Sequence, residues 1–111
     1  MPIDRHEIII VLTCLPDKAA ATRLAGLLIE SRLAACVNIL DECTSVYRWE
    51  GKVETATEVP MLIKTSQRAY ARLEQEILAH HPYELPEIIS VPVLAGLPAY
   101  LGWVASQSGD E

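Results

Sequence analysis

The chain has 111 residues, half of them apolar, and a formal net charge of −6. This length suits a single domain, residues 1–111, and the apolar content excludes a disordered chain. The acidic balance, with Lys and Arg scattered singly, excludes the basic face expected of a nucleic-acid or anionic-membrane partner.

In chain order, Met1 to His6 is a polar terminus, and His6 reads as a solvated residue. Ile8 to Leu12 (IIIVL) is a β-branched run of the kind found in a central strand. It is too short for a signal-peptide core or a membrane span, so the cytoplasm is the expected compartment. Pro16 and Asp17 follow, and Asp17 is placed to cap a helix over Lys18 to Arg32. Ala20, Leu24, Leu27, Leu28 and Leu33 give that segment its apolar stripe.

Cys36 to Leu40 (CVNIL) and Ser45 to Trp49 (SVYRW) form a second extended region, with a bulge or bend at Asp41-Glu42. Glu50-Gly51 supplies a turn. Beyond it the alternation is regular: Val53, Thr55, Thr57, Val59, Met61 and Ile63 share one parity, and Lys52, Glu54, Glu58 and Lys64 the other. Pro60 interrupts this strand and belongs at a bulge or an edge, because it has no N–H to donate. Ser66 is placed to cap a second helix, Gln67 to His80, with Tyr70, Leu73, Ile77 and Leu78 as its apolar stripe. Pro82 stops it. Glu87 to Leu94 reads as a last strand, with Pro92 marking an edge or bulge. Leu97, Tyr100, Leu101 and Val104 space a short terminal helix with Pro98 in its first turn, and Ser106 to Glu111 reads as a polar tail.

The resulting order predicts an α+β fold: a ferredoxin-like β-α-β-β-α-β sandwich with a long central hairpin and a short C-terminal helix. One length does not suit an isolated chain. About 14 residues per hairpin strand span ~46 Å, while a helix of about 15 residues covers ~22 Å. The far end of the hairpin, with Val46, Tyr47 and Trp49, is left uncovered, which points to self-association.

Five stretches resemble one family: "RLAACVNI" (Arg32 to Ile39), "SVYRWEGKVE" (Ser45 to Glu54), "EVPMLIKT" (Glu58 to Thr65), "HHPYELPEI" (His80 to Ile88) and "YLGW" (Tyr100 to Trp103) are similar to the landmarks of the CutA divalent-cation tolerance proteins. The resemblance runs from about Ile8 to Trp103. It implies a tight homotrimer in which long hairpins join neighbouring sheets, a bacterial cytoplasmic location, a link to copper tolerance, and copper or another divalent cation as ligand. In the family a cysteine at the end of the first strand is proposed to bind copper. Here Cys14 stands one position later, which turns it to the other face of the strand.

The candidate metal donors are His81, Cys14, Cys36 and His80. His80 and His81 point about 100° apart on a helix, so both cannot hold one ion; their other reading is a favourable cationic helix end. A cysteine–histidine set suits copper or zinc. Any site at the His81-Pro82-Tyr83 loop needs donors from Cys14, Cys36 or another chain, because one helix end offers too few. A second constellation, Tyr47, Trp49, Glu58, Lys64, Tyr83 and Trp103, is placed to line a cleft or interface, provided Pro60 does not put Glu58 and Lys64 on different faces. That cleft supports the alternative of a PII-like signalling trimer binding a small effector. Catalytic motifs and glycine-rich phosphate loops are absent from the sequence, so neither an enzyme nor a nucleotide binder is expected.

Overall fold

The computed structural model describes residues 7–109, so the expectation for His6 lies outside the described residues. The elements follow the predicted order: β1 (Ile8–Leu15), α1 (Lys18–Glu30), β2 (Cys36–Ile39), β3 (Cys43–Trp49), β4 (Lys52–Ser66), a 3₁₀ turn (Gln67–Ala69), α2 (Tyr70–His80), β5 (Ile89–Pro92) and α3 (Pro98–Gln107). The strands form an antiparallel sheet in the order β2-β4-β1-β5, and β3 pairs with the far half of β4. The fold is therefore the ferredoxin-like α+β sandwich expected from the sequence.

β4 organises this sheet. Its 15 residues pair with β1 from Val59 to Ser66, with β2 from Met61 to Lys64, and with β3 from Lys52 to Glu58. The β2 register runs Cys36 opposite Lys64, and the β3 register runs Cys43 opposite Glu58, so one extra residue is accommodated at Leu40 to Glu42. This is the bulge expected at Asp41-Glu42. It also explains Pro60. The Leu40 N–H donates to the Pro60 carbonyl at 3.0 Å on the bulge side. In a strand the N–H and C=O of one residue share an edge, so the missing Pro60 donor falls at the bulge and costs no bond to β1. β4 itself runs unbroken, and Glu58 and Lys64 stay on one face.

The opposite parity makes the core. Ile9, Val11 and Leu15 of β1 and Val59, Met61 and Ile63 of β4 pack against Ala21, Leu24 and Leu28 of α1 and Leu73 and Ile77 of α2. Val53 on the same parity is 67% exposed, because the helices end before the hairpin does. The longest dimension of the molecule is 43 Å.

α1 begins where expected: the Asp17 carboxylate accepts from the Ala20 N–H at 2.8 Å. It stops earlier than expected, at Glu30, because Arg32 adopts a left-handed conformation with φ of 61°. Leu33 still reaches the core from beyond the helix end. Three further expectations are corrected. Ser66 makes no cap bond; its hydroxyl instead donates to the Ser108 carbonyl, and α2 follows a 3₁₀ turn. Leu78 is 54% exposed, one residue round the helix from the buried Ile77. Ser106 and Gln107 belong to α3, and Ser108 is buried, so the polar tail does not begin at Ser106. β5 is shorter than predicted, and Pro92 lies on an edge strand that pairs with β1 alone among the described strands.

Thr13 is buried on the core face of β1, and its hydroxyl has no hydrogen-bond partner. An unsatisfied buried hydroxyl costs free energy that an isosteric methyl does not. Thr13→Val should therefore raise unfolding stability by about 1 kcal/mol in urea denaturation. A loss of stability would show that the hydroxyl has a partner in solution.

Candidate functional site

The uncovered face of the sheet carries the even-numbered side chains of β1 and β4. Cys14 lies opposite Pro60 and Cys43 opposite Glu58, and all four side chains share this face by strand parity. The loop after α2 closes over them. His81 is its hook: Nε2 lies 2.7 Å from the Cys14 carbonyl oxygen, and Nδ1 accepts from the Tyr83 N–H at 3.2 Å. That acceptor role places the imidazole proton on Nε2, which donates to Cys14. Both ring nitrogens are thus engaged. The His81 and Tyr83 rings stand 4.7 Å apart at 56°, and the Glu58 carboxylate lies near enough to the Tyr83 phenol to act on its titration. One short loop is thereby tied to the end of β1.

The electrostatics of this corner are those of groups that keep their protons. Burial, then the carboxylates of Glu87 and Glu58 and the Cys43 thiol, push the Cys14 thiol up to about 11. Burial, then the hydrogen bond and charge of Glu58, push the Tyr83 phenol up to about 12, with smaller effects from Tyr47 and Cys14. A negative charge on either group is disfavoured beside carboxylates already there.

The predicted donors are not brought together. Cys14 and Cys36 lie on opposite sides of β4, four residues out of step, or about 16 Å between Cα atoms. Cys36 stands opposite Lys64, with its sulfur 4.0 Å from the Asn38 amide oxygen. His80 is exposed and contacts Glu76 at 3.2 Å, one helical turn away. All three cysteines are free. Among the described residues no three His, Cys, Asp or Glu side chains stand ready to hold a metal ion. Cys14 instead shares its face with Cys43 and Glu58, and the charges of Glu87 and Glu58 reach it without forming a ready set of ligands. Cys43 and Glu87 escape sequence reasoning. The parity pattern that places Glu58 could have placed Cys43 beside it, whereas nothing in the spacing of Glu87 shows where its loop folds.

The second constellation divides. Glu58 shares the face and the region of Cys14, while Tyr47 lies further out on the hairpin, opposite Glu54. Lys64 lies at the other end of the face, its Nζ 5.8 Å from the Tyr100 ring centroid, and Tyr100 packs on Trp103 at 5.7 Å. Trp49 is at the hairpin tip, paired with Lys52. These residues line one face of the sheet without enclosing a common cleft in a single chain.

A ferredoxin-like sheet with one bare face and an over-long hairpin defines a narrow class, and comparison with known proteins identifies it. The profile of the family described as CutA1 divalent ion tolerance protein matches residues 9–107. The divalent-cation tolerance protein CutA of Thermus thermophilus is 41% identical over 100 residues, covering 90% of this chain and 97% of that one. Human protein CutA is 43% identical over 93 residues, covering 84% of this chain and 51% of its own length. The chain thus spans almost all of the Thermus relative and about half of the human one. The Thermus structure superposes with a TM-score of 0.90 at 40% identity, covering 92% of this chain and 99% of that one. The structure of CutA1 from Oryza sativa does so with 0.91 at 40% identity, covering 95% and 96%. The chain belongs to the CutA divalent-cation tolerance family. A further solved relative, from Archaeoglobus fulgidus, is named periplasmic, and the rice relative is named chloroplastic.

The raised phenol and thiol fix a pH dependence. A group whose folded pKa lies above its unfolded value stabilises the fold below the unfolded value and loses that contribution as pH rises through the folded one. For Cys14 and Tyr83 the window runs from about 9 to about 12. Urea midpoints should fall across this window, and the fall should be shallower in Tyr83→Phe. A profile unchanged by that substitution would show that Tyr83 does not carry the effect.

Proposed function

We propose that this chain works as a homotrimeric divalent-cation tolerance protein that binds copper or another divalent cation on the face carrying Cys14. The observation that carries the metal reading is the half-buried Cys14 thiol on the same sheet face as Glu58, where the charges of Glu87 and Glu58 act on it. One thiolate with carboxylates suits copper and zinc better than magnesium or calcium. A cation there would reverse the local charge balance and displace the thiol proton to solvent. His81 fits this reading as a support of the loop that carries Tyr83 and Glu87, not as a free donor. The set is short of ligands within one chain, which suits completion by a second copy.

Self-association is supported by what one chain leaves bare. Ile10 and Leu12 of β1, Leu62 of β4 and Ile89 and Val91 of β5 share the uncovered face. Val46, Tyr47, Trp49 and Val53 are exposed on the overhanging hairpin. Three copies arranged in a ring would bury this surface and remove free strand edges. Among the described residues no helix is long and apolar enough to cross a membrane. The three free thiols suit a reducing compartment, and the cytoplasm is the location this reading favours.

Two measurements test these readings. Sedimentation of dilute protein should give the mass of three chains, and Trp49→Ala should weaken assembly by ~2 kcal/mol; a single-chain mass ends the trimer reading. Competition titrations of reduced protein with Cu(I), Cu(II) and Zn(II) should show affinity reduced about tenfold or more in Cys14→Ser and Glu58→Gln. Affinity unchanged in both variants removes this face as the metal site. The PII-like alternative is favoured by the cation–aromatic group of Lys64, Tyr100 and Trp103. Binding of a small organic anion, lost in Lys64→Ala, would decide for it.

A further inference from the structure

α3 is held unlike the other helices. Of its residues only Val104 is fully buried, while Tyr100 and Trp103 are 39% and 44% exposed, and Leu97 just before it is 70% exposed. A ten-residue helix with so little apolar burial is marginal by itself. Its carboxyl end, by contrast, is densely bonded. Arg68, from the 3₁₀ turn, donates through Nη2 to the carbonyls of Ala105 and Ser108, both at 2.9 Å, and through Nε to Ser108 at 3.3 Å. Arg32, just beyond α1, donates through Nη2 to the Ser106 carbonyl at 2.7 Å, and its own carbonyl accepts from the Gly109 N–H at 2.7 Å. The Ser108 hydroxyl donates to the Val104 carbonyl at 2.7 Å. The last carbonyls of a helix lack partners within it and carry the negative end of its dipole, so two guanidinium groups suit this position twice over.

The clamp joins the two layers. Arg32 and Arg68 belong to the segments that lead out of α1 and into α2, on the covered side of the sheet. α3 meets Lys64 and Ser66, whose parity is that of the bare face. Ile10 pairs with both Lys64 and Val91, so the Tyr100 end of α3 continues directly into the apolar surface of the sheet. We infer that Arg32 and Arg68 are positioning residues for assembly: they hold α3 at the angle at which Leu97, Tyr100 and Trp103 meet a second copy of this chain. This rests on the self-association reading. Backbone geometry supports a built clamp. Arg32 takes the left-handed φ of 61°, which its bond to Gly109 helps to hold. Gly109 has φ of 80° and no room for a side chain, since a Cβ there would lie 2.6 Å from Arg68 Nε.

The test uses Arg68→Ala and Arg32→Gly, the second of which suits the left-handed backbone and removes only the side chain. Sedimentation across a dilution series reads assembly, and amide hydrogen exchange reads α3 and the core separately. The expected result is faster exchange in α3, unchanged exchange in β1 and β4, and an assembly midpoint raised by about tenfold. Gly109→Ala should act in the same direction by displacing Arg68. An unsubstituted protein that sediments as one chain would overturn the self-association reading together with this inference. An assembled protein whose midpoint is the same in Arg68→Ala, Arg32→Gly and the double variant would overturn this inference alone.

Discussion

The structure depends on one strand that is longer than the layer covering it. β4 supplies partners to β1 on one edge and to β2 and β3 on the other, so most of the sheet is registered against it. At 15 residues it spans ~50 Å if fully extended, against ~20 Å for the 13 residues of α1. Side-chain parity then assigns each end a different fate. Near Val59, Met61 and Ile63 the core side is sealed by two helices, whereas the same parity at Val53 meets solvent. The helices of one chain thus seal the core face of this strand over about half its length and leave the rest of that face to solvent.

Pairing both edges of β4 requires an adjustment, and the bulge at Leu40 to Glu42 provides it. It shifts β3 by one residue relative to β2, which puts Cys43 opposite Glu58. It also gives Pro60 an edge where no donor is needed. Had Pro60 bulged β4 instead, Glu58 and Lys64 would have parted, and Cys14 would have lost its carboxylate neighbour. The composition of the corner around Cys14 is therefore a consequence of where one extra residue was placed.

The parts legible in the sequence are those governed by local periodicity. Alternation along Val53 to Lys64 identifies the core face and the bare face, and Asp17 reads as a cap because capping chemistry acts over three residues. The parts that are not legible depend on atoms far apart in the chain. His81 is spent on the Cys14 main-chain carbonyl, 67 residues away, and any residue there would present the same oxygen. Ser66 has the look of a cap because serine before a helix usually is one; a buried partner 42 residues on, Ser108, claims its hydroxyl. The helix stop at Arg32 is hidden for a related reason, since arginine carries no intrinsic preference for a left-handed backbone. Of the candidate site, the face and Glu58 are visible in the sequence and Cys43 follows from the β3 register, while the approach of Glu87 to Cys14 requires the closed loop.

The face on which Cys14 stands bears on the proposed handling of a metal. On the core face of β1 the neighbouring position is Thr13, sealed from solvent with its hydroxyl unpartnered. A thiol there would lie beneath the helices, reachable only through local opening. One residue later the thiol stands on the face that a single chain leaves bare, beside carboxylates that raise its pKa. A cation approaching from that side would meet negative charge first and the thiol proton second, so the carboxylates would favour capture and the thiol would make it pH-dependent. The same charges that disfavour a free thiolate favour a metal-bound one, because the cation cancels the repulsion that kept the proton in place.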